Sequence, residues 1–239
     1  MTILQPITLE HEGATLTGLL ALPEGKGPFP AVLVMHSALG LGDQVKQTAQ
    51  KLAALGYAAL AADMYGVVVS QADQNAAGAA MQALYSRPEL LRSRTIAWFE
   101  ALRAAPQIDA SRMAAIGYCM GGQCVLELAR SGADVQAVVS FHGLLTTKHP
   151  AAAGAIKGIV AVWTGARDPY APEADVIALR AEMEAAQADL QLTIFSNAAH
   201  GFTDMEAAAL GRPGIEYDAL ADALSWAGTE VLLKAKLGN

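Results

Sequence analysis

The sequence predicts an α/β protein with a mainly parallel central sheet and helices on both faces. Short apolar runs alternate with longer helical segments along most of the 239 residues, and no linker or repeat divides them. The runs are apolar at every position, as in strands that are covered on both faces. Strand–helix alternation of this kind builds parallel sheets. We therefore expect a single domain over residues 1–239.

The strands are predicted from these runs and from a first segment of different character. Residues 7–22 mix polar and apolar residues around Glu12-Gly13, which indicates an edge hairpin. A Gly- and Pro-rich stretch from Pro23 to Pro30 leads into the rest of the chain. The predicted core strands are 31–35, 57–62, 113–118, 135–141, 158–164 and 190–195.

The segments between the strands are predicted helices, and two of them show clear periodicity. Val176, Leu179 and Met183 repeat at helical spacing, and Leu220, Leu224 and Val231 do so near the end of the chain. The predicted helices are 43–55, 72–84, 89–104, 122–131, 173–187 and 215–236.

Composition excludes several classes of function. The net charge is −7 and no cluster of Lys or Arg stands out, so neither nucleic acid nor an anionic membrane is an expected partner. The first residues do not resemble a signal peptide, and no apolar stretch approaches the length of a membrane helix. Cys119 and Cys124 are poorly spaced for a disulfide, so we expect free thiols and a reducing cytoplasm.

A candidate nucleophile follows the run 113–118. Gly117, Cys119 and Gly121 form a G-x-C-x-G pattern directly before a helix, which is the setting of a nucleophile elbow. A helix N-terminus favours the thiolate of Cys119, and the backbone N–H of Met120 would face a developing oxyanion. The alternative is a buried cysteine that packs as a small apolar side chain.

A candidate acid and a candidate base follow the next strands. Asp168 comes after the run 158–164, and His200 comes after the run 190–195. Each can be an ordinary loop residue when taken alone. The chain order nucleophile, acid, base is nevertheless that of α/β-hydrolases, so we predict a triad of Cys119, Asp168 and His200.

The sequence resembles the dienelactone hydrolase family of α/β-hydrolases over nearly its whole length. The motifs that carry the resemblance are GYCMGG at 117–122, GARDPY at 165–170 and HGF at 200–202, with support from 61–66 and 140–143. The resemblance implies that Cys119 is the nucleophile, Asp168 the orienting acid and His200 the base. It also implies oxyanion donors at the backbone N–H groups of Ala38 and Met120.

Two positions depart from the pattern of the enzyme that gives the family its name. That enzyme has a glutamate, which holds the thiol, where this chain has Ser37, and a carboxylate-binding arginine where this chain has Asp204. An aspartate repels an anion, so we expect a neutral ester or lactone as the substrate. Three arginines could compensate if they border the pocket: Arg87, Arg92 and Arg94.

The same motifs suggest which residues surround the substrate. We expect pocket-lining residues at His36, Ser37, Tyr65, Tyr118, His142 and Phe202. Neither metal-ligand spacing nor a dinucleotide-binding G-x-G-x-x-G is present in the sequence, so we predict no cofactor and no metal. A single closed domain of this kind is expected to be a monomer.

Two alternatives remain open at this point. Triad chemistry does not choose its acyl group, so a thioesterase or a peptidase on the same scaffold fits the motifs as well. A non-catalytic α/β domain that binds a small molecule is the other alternative, although the presence of all three triad residues argues against it.

Overall fold

A computed structural model describes residues 2–66 and 73–238 of the chain. Its strands form one eight-stranded sheet in the order β1-β2-β4-β3-β5-β6-β7-β8. The strands are β1 Leu4–His11, β2 Ala14–Ala21, β3 Phe29–Met35, β4 Ala58–Ala62, β5 Ile108–Tyr118, β6 Ala137–Phe141, β7 Ile159–Gly165 and β8 Leu190–Phe195.

The sheet is mainly parallel, as predicted. Strands β1 and β2 form an antiparallel hairpin with β1 at the edge, and β2 also pairs antiparallel with β4. All the other pairs, from β4 across to β8, are parallel. In such a sheet the carboxyl ends of the parallel strands lie along one edge, where ligands usually bind.

Helices cover both faces of the sheet. They are α1 Asp43–Ala54, α2 Gln74–Tyr85, α3 Pro88–Arg103, α4 Met120–Arg130, α5 Glu173–Ala185 and α6 Ala219–Leu237, with a 3₁₀ helix at Ala207–Leu210. One core cluster joins the sheet to α2, α3, α4 and α5, and a second joins it to α1 and α6. The predicted start of α2 at residue 72 lies outside the described residues.

The central strands are apolar throughout because each face meets its own core. In β3, Leu33 and Met35 belong to the cluster with α3 and α4, whereas Val32 and Val34 belong to the cluster with α1 and α6. All four side chains are fully buried. This arrangement explains why the strand has no alternating pattern in the sequence.

Strand β8 does not fit the expectation of a strand covered on both faces. It lies at the edge of the sheet, and Ile194 is 49% exposed. The apolar run at 190–195 therefore predicted the strand with its correct bounds but not its exposed position.

The apolar periodicity in α6 was also misleading. Leu220, Leu224 and Val231 are exposed, and the buried face combines small or polar residues with two leucines near the end of the helix: Ala221, Ser225, Thr229, Leu233 and Leu237. The helix begins at Ala219 and not at 215, because the carboxylate of Asp218 accepts hydrogen bonds from the N–H groups of Leu220 and Ala221. Within residues 2–66 and 73–238, every helix is too short or too polar to span a bilayer.

Candidate active site

Cys119 lies at the sharp turn between β5 and α4. Its φ of 54° is in the left-handed region, which is unusual for a residue other than glycine. The turn needs glycine on both sides. A Cβ at Gly117 would lie 2.0 Å from the carbonyl oxygen of Gly121, and one at Gly121 would lie 2.3 Å from that of Met35. The G-x-C-x-G pattern is therefore required by backbone packing at an elbow.

The loop after β3 approaches the thiol from the other side. The backbone N–H groups of Ala38 and Met120 both act on the Cys119 sulfur. The hydroxyl of Tyr65 fixes the loop by donating to the carbonyl oxygen of Ala38 at 2.9 Å. The two amides predicted as oxyanion donors thus come from different segments, the loop after β3 and the start of α4, and both contact the sulfur.

The structure brings Asp168 and His200 into direct contact. Nδ1 of His200 is 2.8 Å from Oδ2 of Asp168, and both residues are buried. The other carboxylate oxygen accepts the N–H groups of Tyr170 and Ala171 at 2.8 and 3.2 Å. Because a carboxylate can only accept these bonds, Nδ1 of His200 carries a proton and donates a hydrogen bond to Asp168.

The electrostatics of the thiol and the imidazole are coupled. Burial opposes ionisation of Cys119, but the positive charge of His200, a hydrogen bond with its ring and the two backbone amides outweigh it and lower the pKa of the thiol. Burial also opposes protonation of His200, but the Cys119 thiolate and Asp168 raise the pKa of the imidazole to about 10. These opposite shifts favour a thiolate–imidazolium pair over a neutral pair.

A cavity of about 170 Å³ lies over the thiol, with largely apolar walls. It is bordered by the loop after β3, by α2, by the segment after β6 and by the chain from His200 to Ile215. The lining includes Cys119, His142, Tyr170, His200 and Leu210. The site is therefore a small apolar pocket at the carboxyl ends of the parallel strands.

Of the six residues predicted to line the pocket, Ser37 and His142 line this cavity. His36 is fully buried behind it, where Nε2 accepts the N–H of Met64 at 3.0 Å and Nδ1 lies 2.6 Å from the carbonyl oxygen of Ser37. The other three also lie outside the lining. Tyr65 braces the loop of Ala38, Tyr118 bonds to the hydroxyl of Thr48, and Phe202 packs beneath the ring of His142.

The three arginines considered as substitutes for a carboxylate-binding arginine serve other purposes. Arg87 pairs with Glu12, Arg92 pairs with Glu127, and Arg94 donates to the carbonyl oxygen of Met64. None of the three lines the cavity over Cys119. The condition under which they could compensate, a place at the border of the pocket, is therefore not met.

Arg212 is the charged lining residue that the sequence did not reveal. It lies at the cavity together with Asp204, so these two residues bring one positive and one negative charge to the lining in addition to those of Cys119 and His200. Both residues come from the segment between His200 and α6, which has no recognisable motif. A histidine motif indicates the base, but it does not tell which later loop residue folds back over the site.

The remaining candidate groups are separate from this site. Cys124 lies in α4 and is fully buried, and burial raises the pKa of its thiol to about 12. Both cysteines are free, as predicted. In the described part of the chain, no group of three or more His, Cys, Asp or Glu side chains is placed to hold a metal ion.

Comparison with known proteins shows which family the chain is similar to. The model of the "Dienelactone hydrolase family" matches residues 16–237. A Synechocystis protein named "Putative carboxymethylenebutenolidase" is 25% identical, and the match covers 97% of this chain and 96% of that protein.

Two solved structures are more similar in sequence. The structure of a dienelactone hydrolase-like promiscuous phosphotriesterase from metagenomic libraries is 38% identical with a TM-score of 0.92, and the match covers 99% of both chains. A structure named m3DLH is also 38% identical with a TM-score of 0.92, and the match covers 98% of both chains. These matches confirm the resemblance inferred from the motifs and the predicted fold class.

Proposed function

The chain belongs to the dienelactone hydrolase family, and we propose that it hydrolyses small neutral esters or lactones through a covalent intermediate on Cys119. The observation that carries the proposal is the convergence on one sulfur of three groups: the His200 ring, the N–H of Ala38 and the N–H of Met120. Asp168 orients that ring, because its Oδ2 accepts a hydrogen bond from Nδ1 of His200 at 2.8 Å. These are the elements that acyl transfer requires.

Acylation begins with the Cys119 thiolate, which the lowered pKa of the thiol favours. Sγ of Cys119 attacks the carbonyl carbon, and the carbonyl oxygen takes up the negative charge between the N–H groups of Ala38 and Met120. As the tetrahedral intermediate collapses, the C–O bond breaks and His200 gives its proton to the leaving oxygen. The alcohol departs and a thioester remains on Cys119.

Deacylation uses the same groups in the reverse direction. His200 is then neutral and takes a proton from a water molecule, which attacks the thioester carbonyl. The charge again develops between the two backbone amides. When this second tetrahedral intermediate collapses, the C–S bond breaks, the acid departs and the electron pair returns to the Cys119 sulfur, which again lies beside the protonated His200. Asp168 keeps Nδ1 of His200 protonated, so that Nε2 is free to accept the proton from water.

The lining of the cavity favours a neutral substrate. Its walls are mostly apolar, and the charges of Asp204 and Arg212 oppose each other. Asp204 would repel a carboxylate-bearing substrate and Arg212 would attract it, so the two effects oppose each other. A small neutral ester or lactone therefore suits the pocket better than an ester or lactone that bears a carboxylate.

The test is hydrolysis of p-nitrophenyl acetate by the wild type and by Cys119→Ala. Cys124→Ala is the matched control, since it removes the other thiol from α4 without touching the cavity over Cys119. We expect turnover to disappear in Cys119→Ala and to persist in Cys124→Ala. Equal turnover in wild type and Cys119→Ala would refute the proposal. Mass spectrometry of the acid-quenched wild-type enzyme should show one acetyl group, and Cys119→Ala should show none.

Neutral phosphotriesters are a second candidate class of substrate. The specific observation is the 38% identity with a protein described as a dienelactone hydrolase-like promiscuous phosphotriesterase. A phosphoryl oxygen can accept the same two backbone hydrogen bonds as a carbonyl oxygen. We expect slow hydrolysis of paraoxon by the wild type and none by Cys119→Ala. Absence of turnover in both proteins would exclude this second activity while leaving ester hydrolysis in place.

A further inference from the structure

Helix α6 carries an apolar face that the rest of the described chain does not cover. Leu220, Leu224 and Val231 are 69%, 52% and 71% exposed, and Ala227 between them is exposed as well. None of the four belongs to the core clusters formed by residues 2–66 and 73–238. Scattered exposed apolar side chains are ordinary, but a continuous apolar face on one element marks an interaction surface. We call these four residues the α6 stripe.

The two acidic residues within this span of the helix lie beside the stripe and not on it. Asp222 accepts a hydrogen bond from the hydroxyl of Tyr217, and Glu230 accepts one from the ring N–H of Trp226. At 100° per residue, both are a quarter turn or more away from the centre of the stripe. The stripe is therefore uncharged over its whole length.

The stripe has the spacing of a helix that packs against another helix. Successive members are four, three and four residues apart, which keeps them on one side of α6. This is the periodicity that is plain in the sequence and that the sheet does not use, because α6 packs on the sheet through its opposite side. A second helix would satisfy the pattern that the sheet leaves unsatisfied.

The stripe is complementary to a second copy of itself when the two helices run in opposite directions. In one antiparallel register, Leu220 lies opposite the partner's Val231, and Leu224 lies opposite the partner's Ala227. All four members then face members of the other stripe, and the central leucine meets a small side chain that leaves room for it. A patch that matches itself in this way is what a two-fold dimer requires.

The charges next to the stripe also favour the antiparallel direction. In the same register, Lys234 lies opposite position 217 of the partner, between its Glu216 and Asp218. Lys234 and Glu216 are both exposed. Parallel pairing would instead bring each Lys234 against its own copy and would leave two alanines facing each other at the centre. Opposite charges across an interface fix its direction, and like charges oppose it.

We propose that the α6 stripe is the contact surface of a homodimer, in which two α6 helices pack antiparallel about a two-fold axis between Leu224 and Ala227. This dimer replaces the monomer that the single domain led us to expect. A pair of helices is a small interface, so we expect reversible association with a dissociation constant in the micromolar range. Among the described residues, none that lines the cavity over Cys119 belongs to α6, so the proposal does not depend on the proposed hydrolysis.

The first test is sedimentation equilibrium of the wild type, Leu224→Glu and Ile177→Glu from low to high micromolar concentration. Ile177 on α5 is 58% exposed, so Ile177→Glu is a matched control that adds the same charge at an exposed apolar site outside the stripe. We expect the wild type to reach twice the mass of the chain. Leu224→Glu should raise the dissociation constant by about 10-fold or more, and Ile177→Glu should leave it unchanged.

Three results would overturn the proposal. The first is a wild type that stays monomeric at every concentration, the second is a dimer that Leu224→Glu does not weaken, and the third is a dimer that both substitutions weaken equally. Because both side chains are exposed, neither substitution removes a core contact. The thermal unfolding midpoint of each variant verifies that it is folded.

A disulfide test determines the direction of the two helices. Leu220→Cys and Val231→Cys are made separately in a Cys119→Ala background, where the remaining native thiol, Cys124, is fully buried. Along one helix these positions are about 16 Å apart, at about 1.5 Å per residue, which is beyond the reach of a disulfide. Under mild oxidation, we expect a covalent dimer when the two variants are mixed and none from either variant alone. A covalent dimer of a single variant, or no covalent dimer in the mixture, would overturn the antiparallel contact.

Discussion

Replacement of Asp168 by asparagine should reverse the tautomer of the candidate base. Oδ1 of Asp168 accepts two backbone N–H groups, from Tyr170 and Ala171, while Oδ2 faces Nδ1 of His200 at 2.8 Å. In Asp168→Asn the amide oxygen must stay with the two N–H groups, because an NH₂ group cannot face two donors. The NH₂ group then faces His200, and Nδ1 of His200 has to become an acceptor.

The size of the effect follows from the bond that is lost and the proton that moves. A hydrogen bond to a charged group contributes about 1.5–3 kcal/mol, which corresponds to about 10- to 10²-fold in rate. In addition, the proton of a neutral His200 moves to Nε2, where it blocks acceptance of a proton from water. Loss of the correct tautomer in a serine triad costs about 10⁴-fold. We expect kcat/KM for p-nitrophenyl acetate to fall between about 10²- and 10⁴-fold in Asp168→Asn.

The matched control is Asp204→Asn, which makes the same chemical change at the wall of the cavity. It removes a carboxylate without altering the hydrogen bond between Asp168 and His200. We expect this control to keep kcat/KM within about 3-fold of the wild type. An Asp168→Asn enzyme as active as the control would refute the assignment of Asp168 as the orienting acid.

Three further predictions concern the Cys119 thiol, the turn at Gly121, and the rim of the cavity, by which we mean the charged lining residues Asp204 and Arg212. Because His200 lowers the pKa of Cys119, alkylation by iodoacetamide should rise with pH through a midpoint below the ordinary thiol value of about 8.5, and a midpoint above it would contradict the ion pair. Gly121→Ala should reduce both activity and the free energy of unfolding, the latter by about 1–3 kcal/mol, whereas Gly78→Ala in α2, with nothing within 4 Å of the added Cβ, should not lower thermal stability. Asp204→Asn should increase, and Arg212→Gln should decrease, kcat/KM for an ester bearing a carboxylate relative to a neutral ester, each by a few-fold at low salt; identical ratios would show that the rim charges do not act on the substrate.

The central sheet could be predicted from sequence because burial on both faces leaves a plain signal. Apart from β5, the buried parallel strands β3 to β7 begin and end within about two residues of their predicted bounds. The largest difference is β5, which begins at Ile108 and not at 113. Its first residues include Asp109, Ser111 and Arg112, whose side chains bond to one another. A polar extension of a strand, held by hydrogen bonds between nearby side chains, lacks the continuous apolar run that predicts a buried strand.

The faces of α6 could not be predicted because the buried side of this helix is not its most apolar side. Ser225 and Thr229 are fully buried, and their hydroxyls bond to backbone carbonyls one turn earlier. Trp163 on β7 donates to the hydroxyl of Thr229, which gives the buried face a polar partner. The helix also approaches the sheet closely at Gly228, because a Cβ there would lie 2.6 Å from the Trp163 ring. Periodicity of large apolar residues is a poor guide where close approach decides which face is buried.

The triad was predicted from the sequence, whereas Arg212 in the cavity lining was not. Here too the reason lies in whether a position is set by local backbone or by the tertiary fold. Cys119, Asp168 and His200 each follow a strand, so chain order alone places them at one edge of a parallel sheet. Their positions are set by local backbone, which short motifs record. Arg212 and Gln44, which line the cavity, belong to segments far apart in sequence that meet only in the folded protein. Residues that line the pocket away from the triad are therefore the hardest to predict from one sequence, and substitutions at these residues are the way to test which substrate the pocket accepts.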